Sequence, residues 1–475
     1  MIDTLSAPDI FTGSLEPHQL DAADWLMDHP RALLADDVGL GKTVEAIAYI
    51  ARLDYAGELP EGRTSVIWIT EASLLKQTAE EFARFAPSLA VLTSDDRLFE
   101  PGGSTLRWAR FHSKFPSGVD VVVVSHELAG NRGSVLNDRF GTPPLVVIDE
   151  AMALKSGGPR HTRISEITAA ATRVLAMTAT PYENSPLETY NILRLLHLPD
   201  LWTSGEFDSR FVEWAPAYQI PGTWKTVPAR PLGVRPEARA ELAAYLHKVM
   251  LRRTVEDIGG AVPVRVGEQV RWVELSSEQA DAYDVAAQNR GGVGHIRRTV
   301  AARGAGDSSA LVDEFMRYLD SPKTPSKVIV YCETLGIIHM VCERLEAAGI
   351  GHVSIEGANK APDRTIALAA FRDRPEVRVL VGSKVLELGL NIQHCNALVT
   401  LDCSDNPQRE RQREGRIRRL GSPHETYTHL TLMPETPTAR KKWQTLERKR
   451  REAEALLRRQ DNQTTDPTTT YGDHR

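Results

Sequence analysis

The stretch ALLADDVGLGKTVEAIAYIARL, Ala32 to Leu53, joins a short apolar run to an amphipathic one through a loop carrying two glycines and a Gly-Lys-Thr triplet. Strand, glycine loop and helix in that order aim backbone N–H groups and a helix N-terminus at a phosphate. Gly39 and Gly41, with Leu40 between them, let the chain turn without Cβ obstruction. Lys42 is placed to reach the β and γ phosphates of ATP, and Thr43 to offer its hydroxyl to Mg2+. The strict phosphate-loop pattern has glycine where this chain has Asp36, so the surroundings must carry the reading.

The surroundings are α/β in style. Short apolar runs rich in β-branched residues alternate with helical patterns, as parallel strands buried on both faces do. In the first half they are RALLA (Arg31), SVIWIT (Ser65), DVVVVS (Asp120), LVVIDE (Leu145) and RVLAMTAT (Arg173). In the second they are KVIVYC (Lys327), HVSIEG (His352), VRVLVGS (Val377), ALVTLDC (Ala397) and TYTHLTL (Thr426). A chain of 475 residues is larger than one core sustains, so two sheet lobes are expected. The boundaries read as a first lobe over 1–225, a helical insertion and linker over 226–320, a second lobe over 321–437, a basic helix over 438–459 and a disordered tail over 460–475.

Composition narrows the function. With 41% hydrophobic and 25% charged residues and no apolar run near the ~18 residues that span a bilayer, a membrane role is not expected. The N-terminus lacks a secretory pattern, which points to the cytoplasm. The 4 cysteines form no CxxC pair, so neither a disulfide framework nor a structural zinc site is indicated. The net charge of −6 argues against wholesale coating of a polyanion, yet Lys and Arg outnumber Asp and Glu between Asn406 and Arg459. That asymmetry suits either a polyanion-facing surface or a solvated basic face.

Three further features bear on chemistry. LVVIDEA ends a strand on adjacent carboxylates, Asp149 for a metal and Glu150 for a water, although such a pair can also cap a helix. Gln19, near the start of a helical pattern, has an amide that could read an adenine edge or simply face solvent. In QREGRIRRLG, Arg416 and Arg419 are three apart and would share one helical face, where two guanidiniums suit a transferring phosphoryl group.

The order LEPHQ, ADDVGLGKT, SLLKQTAEEFARFAP, VVIDEA, MTATP, LRRTVEDI, KVIVYC, VLELGLNI and NPQRERQREGRIRRLG resembles the Swi/Snf branch of superfamily 2 helicases and translocases over residues 15 to 430. The resemblance implies two RecA-like lobes in tandem and ATP-driven movement along double-stranded DNA. It assigns Gln19, Gly389 and Asn391 to the nucleotide, Lys42 and Thr43 to phosphate and Mg2+, Asp149 and Glu150 to the catalytic pair, and Arg416 and Arg419 to the role of fingers. It sets Thr70, Ser125, Gly357, Ser383 and Lys384 near the nucleic-acid backbone, implying contacts to phosphate rather than base. Met152 stands where the family usually has histidine, which puts coupling of hydrolysis to lobe movement in question. Ser383-Lys384 replaces the usual Ser-Thr, and the threonine pair around Ala179 departs from the Thr-Gly-Thr of most members.

The expectation is therefore a DNA-dependent ATPase of compact bacterial or phage type, monomeric, and directed to its sites by DNA structure or a protein partner. A strand-separating DNA or RNA helicase and an ATP-gated clamp without productive cycling are the alternatives.

Overall fold

In the computed structural model, residues 11–60, 64–94, 118–219, 224, 226–259, 262–288, 309–357, 359, 361–387, 392–401, 403–404, 406–419 and 422–458 are described. All ten apolar runs become strands. Those of the first half are β1 (Arg31–Leu34), β2 (Val66–Thr70), β4 (Val121–Ser125), β5 (Leu145–Ile148) and β6 (Arg173–Met177). Together with β3 (Val91–Thr93) and β7 (Met250–Leu251) they form a 7-stranded sheet in the order β7-β1-β6-β5-β2-β4-β3, parallel throughout.

Side chains alternate across each strand, and both faces are apolar. Ile67, Ile69, Val146 and Ile148 join one core, while Val66, Trp68, Leu145 and Val147 join the other. Two packed faces explain why these runs read as continuous rather than alternating. Helix α1 (Pro17–Asp28) and helix α2 (Lys42–Tyr55) cover the second face, where Ala46, Ile47, Tyr49, Ile50 and Leu53 are buried.

The second sheet, also 7-stranded, contains β8 (Val264–Arg265), β9 (Val270–Val273), β10 (Val328–Cys332), β11 (Gly351–Ile355), β12 (Val377–Gly382), β13 (Ala397–Leu401) and β14 (Thr426–Pro434). Its order is β8-β14-β13-β10-β12-β11, with β9 pairing farther along β14. Val328 and Val330 face one core of this lobe and Ile329 and Tyr331 the other. Two parallel-sheet α/β lobes in tandem are therefore the fold.

The segment between the lobes is more sheet-bound than its composition suggests. The pattern EARAELAAYLHKVMLRR yields helix α3 (Arg239–Val249), but Met250 and Leu251 then pair with Leu33 and Leu34 as the edge of the first sheet. Residues 264–265 and 270–273 pair with the second sheet. Strands of two to four residues are too short to leave a periodic signal. A long antiparallel extension also rises here, Val212–Ala215 pairing with Arg230–Val234 and Tyr218–Gln219 with Thr226–Val227.

The basic C-terminal pattern becomes helix α5 (Pro437–Leu457), which touches both lobes. Ala439 and Leu446 are buried with Cys403 and Met433 of the second lobe. Ala453, Leu456 and Leu457 enter the core of the first. The Glu452 carboxylate accepts from the Val234 N–H at 2.5 Å, and Arg448 donates to the Leu232 carbonyl at 3.1 Å. Residues 460–475, expected to be disordered, lie outside the described residues.

Candidate functional site

Helix α2 begins directly after Gly41, so its N-terminal N–H groups and positive dipole end face the loop. Gly39 and Gly41 hold φ of +91° and +93°, the left-handed region that disfavours residues with a Cβ. A Cβ on Gly41 would also collide with the Gln19 amide. Gln19 is pinned on both sides: its oxygen accepts from the Glu16 N–H at 3.1 Å and its nitrogen donates to the Leu40 carbonyl at 3.1 Å. It thus sits over the loop rather than facing solvent. The Lys42 ammonium donates to the carbonyls of Asp36 and Asp37 at 2.7 and 3.2 Å, so it points into the loop's concave side.

Asp36, the departure from the strict pattern, has a structural task. Its carboxylate is fully buried and accepts from the Arg253 N–H at 2.8 Å and from Arg253 Nε at 2.9 Å. The same guanidinium reaches Glu45 at 3.1 Å and donates to the His18 carbonyl. Burial, with the Asp36 charge adjacent, pushes the Glu45 carboxyl well above the usual carboxylate range. Arg252 donates to the Ala35 carbonyl at 2.8 Å. LRRTVEDI therefore braces the phosphate loop from beneath, a role its sequence did not disclose. The visible signal was two adjacent arginines and an aspartate in place of glycine.

Asp149 and Glu150 follow β5. The Asp149 carboxylate accepts from Thr70 Oγ1 at 3.1 Å and from the Glu150 N–H at 3.0 Å. Burial pushes the Asp149 carboxyl up to about 7, and the neighbouring Glu150 charge pushes the same way. Glu150 itself holds φ +48°, a left-handed conformation that costs roughly 1–2 kcal/mol in a residue with a Cβ. It turns the chain into the short helical turn Ala151–Leu154. His126, the first residue past β4, packs against the pair, its Nε2 2.8 Å from the Asp149 carbonyl, and burial lowers its imidazole to about 4.

The arginines reach the loop from the second lobe. They do not share a helical face, because helix α4 (Pro407–Glu414) ends before them. Gly415 weakens the helix, and a Cβ there would collide with Val38 of the phosphate loop. Arg416 and Arg419 lie in the turn that follows. A Cβ on Gly39 would stand 3.2 Å from Arg419 Cγ and 3.3 Å from the Arg418 carbonyl, so the arginine segment lies on the loop itself. Burial pulls the Arg419 guanidinium down to about 10, and the Arg416 charge beside it adds to the effect. Helix α4 is anchored through Arg413, fully buried, which donates to Glu333 just past β10 at 2.5 Å and to Glu410 of its own helix at 2.8 Å. Beside this junction a cavity of about 900 Å3 is lined by Asp37, Arg252, Asp257, Arg411, Arg418 and Arg458, among others.

The residues expected at a nucleic-acid face divide. Thr70 is fully buried and its hydroxyl serves Asp149, which removes it from any surface. The Ser125 hydroxyl accepts from the Leu128 N–H at 3.1 Å, a turn-capping task. Gly357 is exposed just past β11, and Ser383 is half-buried just past β12, both at strand C-terminal ends. Lys384 begins the turn Lys384–Glu387, and its side chain lies outside the described residues, as do Gly389 and Asn391.

Residues 18–328 match the model of the SNF2-related domain, and residues 309–421 that of the helicase conserved C-terminal domain. The chain belongs to the SNF2-related family. Among its relatives are a rice protein named probable chromatin-remodeling complex ATPase chain, 24% identical, covering 89% of this chain and 39% of the relative. Another is the Arabidopsis thaliana ATP-dependent helicase BRM, 23% identical, covering 87% of this chain and 20% of the relative. This SNF2-related chain thus spans well under half of those relatives. Among solved structures, the Sulfolobus solfataricus SWI2/SNF2 ATPase core in complex with dsDNA aligns over 96% of this chain and 99% of that one, at 20% identity and a TM-score of 0.44. No described helix is long and apolar enough to cross a membrane.

Proposed function

We propose that this chain is a nucleic-acid-dependent ATPase that moves along double-stranded DNA. The observation that carries the reading is the placement of the Arg419 Cγ against Gly39, which lays an arginine of one lobe on the phosphate loop of the other, with its Nε donating to the Gly415 carbonyl at 2.8 Å. Two neighbouring arginines, one depressed by burial, form a site that an anion would relieve.

The residues fit ATP with Mg2+. Two left-handed glycines leave the loop amides open to phosphate, and a hydroxyl with a buried carboxylate is a donor set for a hard cation. Thr43 and Asp149 would hold Mg2+, which when bound neutralises charge on phosphate oxygens. Lys42 would stabilise the β and γ phosphates, Gln19 would serve the base, and Glu150 would orient the attacking water and accept its proton. Arg416 and Arg419 stabilise the transferring phosphoryl group from across the cleft. Because the second lobe supplies the arginines, nucleotide draws the lobes together and hydrolysis lets them part, and each cycle shifts the grip on the track. Gly357, Ser383 and Lys384 contribute phosphate contacts without reading bases. Targeting falls to DNA structure or a protein partner.

The test is ATP turnover without nucleic acid and with duplex DNA, single-stranded DNA or RNA, with Glu150→Gln as control. Stimulation by duplex that Glu150→Gln abolishes supports the translocase. Preference for single strands or RNA rejects it, and turnover on no track transfers the reading to a clamp. DNA binding should weaken linearly in log–log terms as salt rises, and affinity insensitive to salt would contradict phosphate-dominated contact.

Strand separation is a second reading with one observation behind it. The antiparallel extension carries Trp214, Tyr218 and Trp224 exposed, Trp224 at 97%. Exposed aromatics of this kind can stack on unpaired bases. Unwinding of a forked duplex that Trp224→Ala abolishes would favour it.

A further inference from the structure

The cavity of about 900 Å3 beside the lobe junction has walls from three parts of the chain: the phosphate loop with residues 252–257 of the first lobe, helix α4 with the turn after it, and the last turn of helix α5. Its lining carries five arginines and five carboxylates, so what each charge already does decides what the cavity can hold.

Most of these charges are committed. Arg253 belongs to Asp36 and Glu45, and Glu414 to His429 and Arg265. Arg418 pairs with Glu256 across the lobes, and Arg411 with Glu454 of helix α5 at 3.2 Å. The Asp257 carboxylate accepts from the Thr254 N–H at 2.7 Å and from Thr254 Oγ1 at 2.9 Å, and the Asp37 carboxylate accepts from the Val38 N–H at 2.9 Å.

Two arginines remain. Neither Arg252 nor Arg458 has a carboxylate at ion-pair distance among the described residues. Arg458 is exposed at the end of helix α5 and can be satisfied by water. Arg252 cannot: it is 8% exposed, and its Nη1 donates to the carbonyls of Ala35 at 2.8 Å and Ala179 at 3.3 Å, which leaves Nε and Nη2 without a partner among the described residues. Burial lowers this guanidinium below its ordinary value; the Asp37 charge works against that and the Arg411 charge with it. A buried cation without a counter-charge is costly, and an anion in the cavity offsets that cost.

We propose that the cavity binds a small anion bearing two or more phosphate groups, with Arg252 as its buried contact and Arg458 as its exposed one. The planar fork of arginine matches phosphate oxygens two at a time. The volume falls in the range of ~300–1,000 Å3 usual for ligand sites and exceeds what one tetrahedral ion fills. Further donors are within the walls, because Glu256 and Glu454 are 66% and 62% exposed and their pairs with Arg418 and Arg411 yield to solvent at little cost. The site is separate from the nucleotide site, since Lys42, Thr43 and Asp149 do not line it. An anion seated there touches both lobes and helix α5 at once.

The test reads binding rather than turnover, so its outcome is independent of the ATPase reading. On the full chain without Mg2+, pyrophosphate is titrated calorimetrically into the wild type, Lys42→Ala, and Lys42→Ala combined with Arg458→Glu or with Arg451→Glu. Arg252 is left intact because it braces the phosphate loop, and Arg451, exposed on the same helix outside the cavity, controls for general charge. Lys42→Ala should keep one pyrophosphate site. Arg458→Glu should weaken that site by about tenfold or more, the scale of a charge-assisted hydrogen bond, and Arg451→Glu by less than about twofold. Loss of all binding in Lys42→Ala confines the anion to the phosphate loop and overturns the proposal. Equal weakening by the two reversals overturns it in favour of diffuse surface charge, and inorganic phosphate binding as tightly as pyrophosphate overturns the need for several phosphate groups. On the Lys42→Ala background, ADP binding tighter than pyrophosphate supports the site with a nucleotide as ligand, and equal affinities support it with a simpler phosphorylated molecule.

Discussion

Arg419 of the second lobe rests on Gly39 of the first, its Cγ 3.2 Å from the place a Cβ on that glycine would occupy. The contact does more than pack two loops. It lays the Arg419 stem on the glycine loop while Nε donates to the Gly415 carbonyl at 2.8 Å, so part of the ordering cost of a closed state is met by the fold.

Arg419→Ala should therefore lower kcat by roughly 10³ to 10⁵, the range over which such arginines act, with ATP still bound. Lys42→Ala should lose binding as well. Steady-state turnover with fluorescent-nucleotide titration distinguishes them. Unchanged turnover in Arg419→Ala, beside an inactive Lys42→Ala, would contradict the two-lobe mechanism.

A second prediction concerns Asp36, which stands where the strict pattern has glycine. Asp36→Gly completes the pattern on paper, yet it leaves Arg253 buried without its principal carboxylate. Breaking one partner of a buried pair costs about 3–5 kcal/mol. Thermal and urea denaturation should show that loss in the first lobe, with nucleotide binding impaired rather than improved. A variant as stable as the wild type would mean that Arg253 finds Glu45 a sufficient partner.

That residue illustrates what could be read in advance and what could not. The sheets were legible because strands packed on both faces leave unbroken apolar runs, as Val121 to Val124 do. The glycine loop and the carboxylate pair stood out in the sequence because the turn into helix α2 demands glycines at positive φ, and because adjacent acids closing an apolar strand are conspicuous. The Asp36–Arg253 pair did not, since its members are distant in sequence and a charged residue carries no sign of its partner. Met250–Leu251 was missed because a two-residue edge strand has no period to detect. Thr70 was misplaced for a related reason: a hydroxyl at the end of a strand suits a phosphate or a carboxylate equally, and only the neighbouring Asp149 decides. The arginines were placed on one helical face because spacing alone cannot show that Gly415 ends the helix.

A third prediction follows from the cluster behind helix α4. His429 lies 2.7 Å from Glu414 and 3.4 Å from Glu410, with Thr400 at 3.0 Å, and Arg265 pairs with the same Glu414 at 2.8 Å. Burial alone would lower His429, but the two carboxylates raise it above its ordinary value. Burial would raise Glu410 and Glu414, but Arg413 and His429 hold the first below the usual range, and His429 and Arg265 the second. A raised histidine contributes fully below its unfolded value near ~6.5 and loses that contribution as pH rises through the folded value. The depressed carboxylates contribute above their unfolded values near ~4.3 and lose it as pH falls. Urea melts from pH 5 to 9 should therefore show the second lobe weakening on the alkaline side, and His429→Gln should flatten that slope. Identical slopes would mean that His429 is neutral in the folded chain.

The fourth prediction separates two roles for helix α5, which could brace the second lobe alone or tie both lobes. Leu456 is fully buried in the first-lobe core, twenty positions along a helix whose opening turn packs on the second. Leu456→Ala should cost about 2–5 kcal/mol, as deletion of buried methyl groups does, and the loss should appear in unfolding of the first lobe although the residue follows the second in sequence. It should also widen the distance between lobes, because the anchors Glu452 and Lys449 sit on the same end of the helix. Denaturation followed by a probe in each lobe, together with scattering of the folded chain, checks both parts. A change within about 0.5 kcal/mol, typical of surface substitutions, would leave the helix as an appendage of the second lobe.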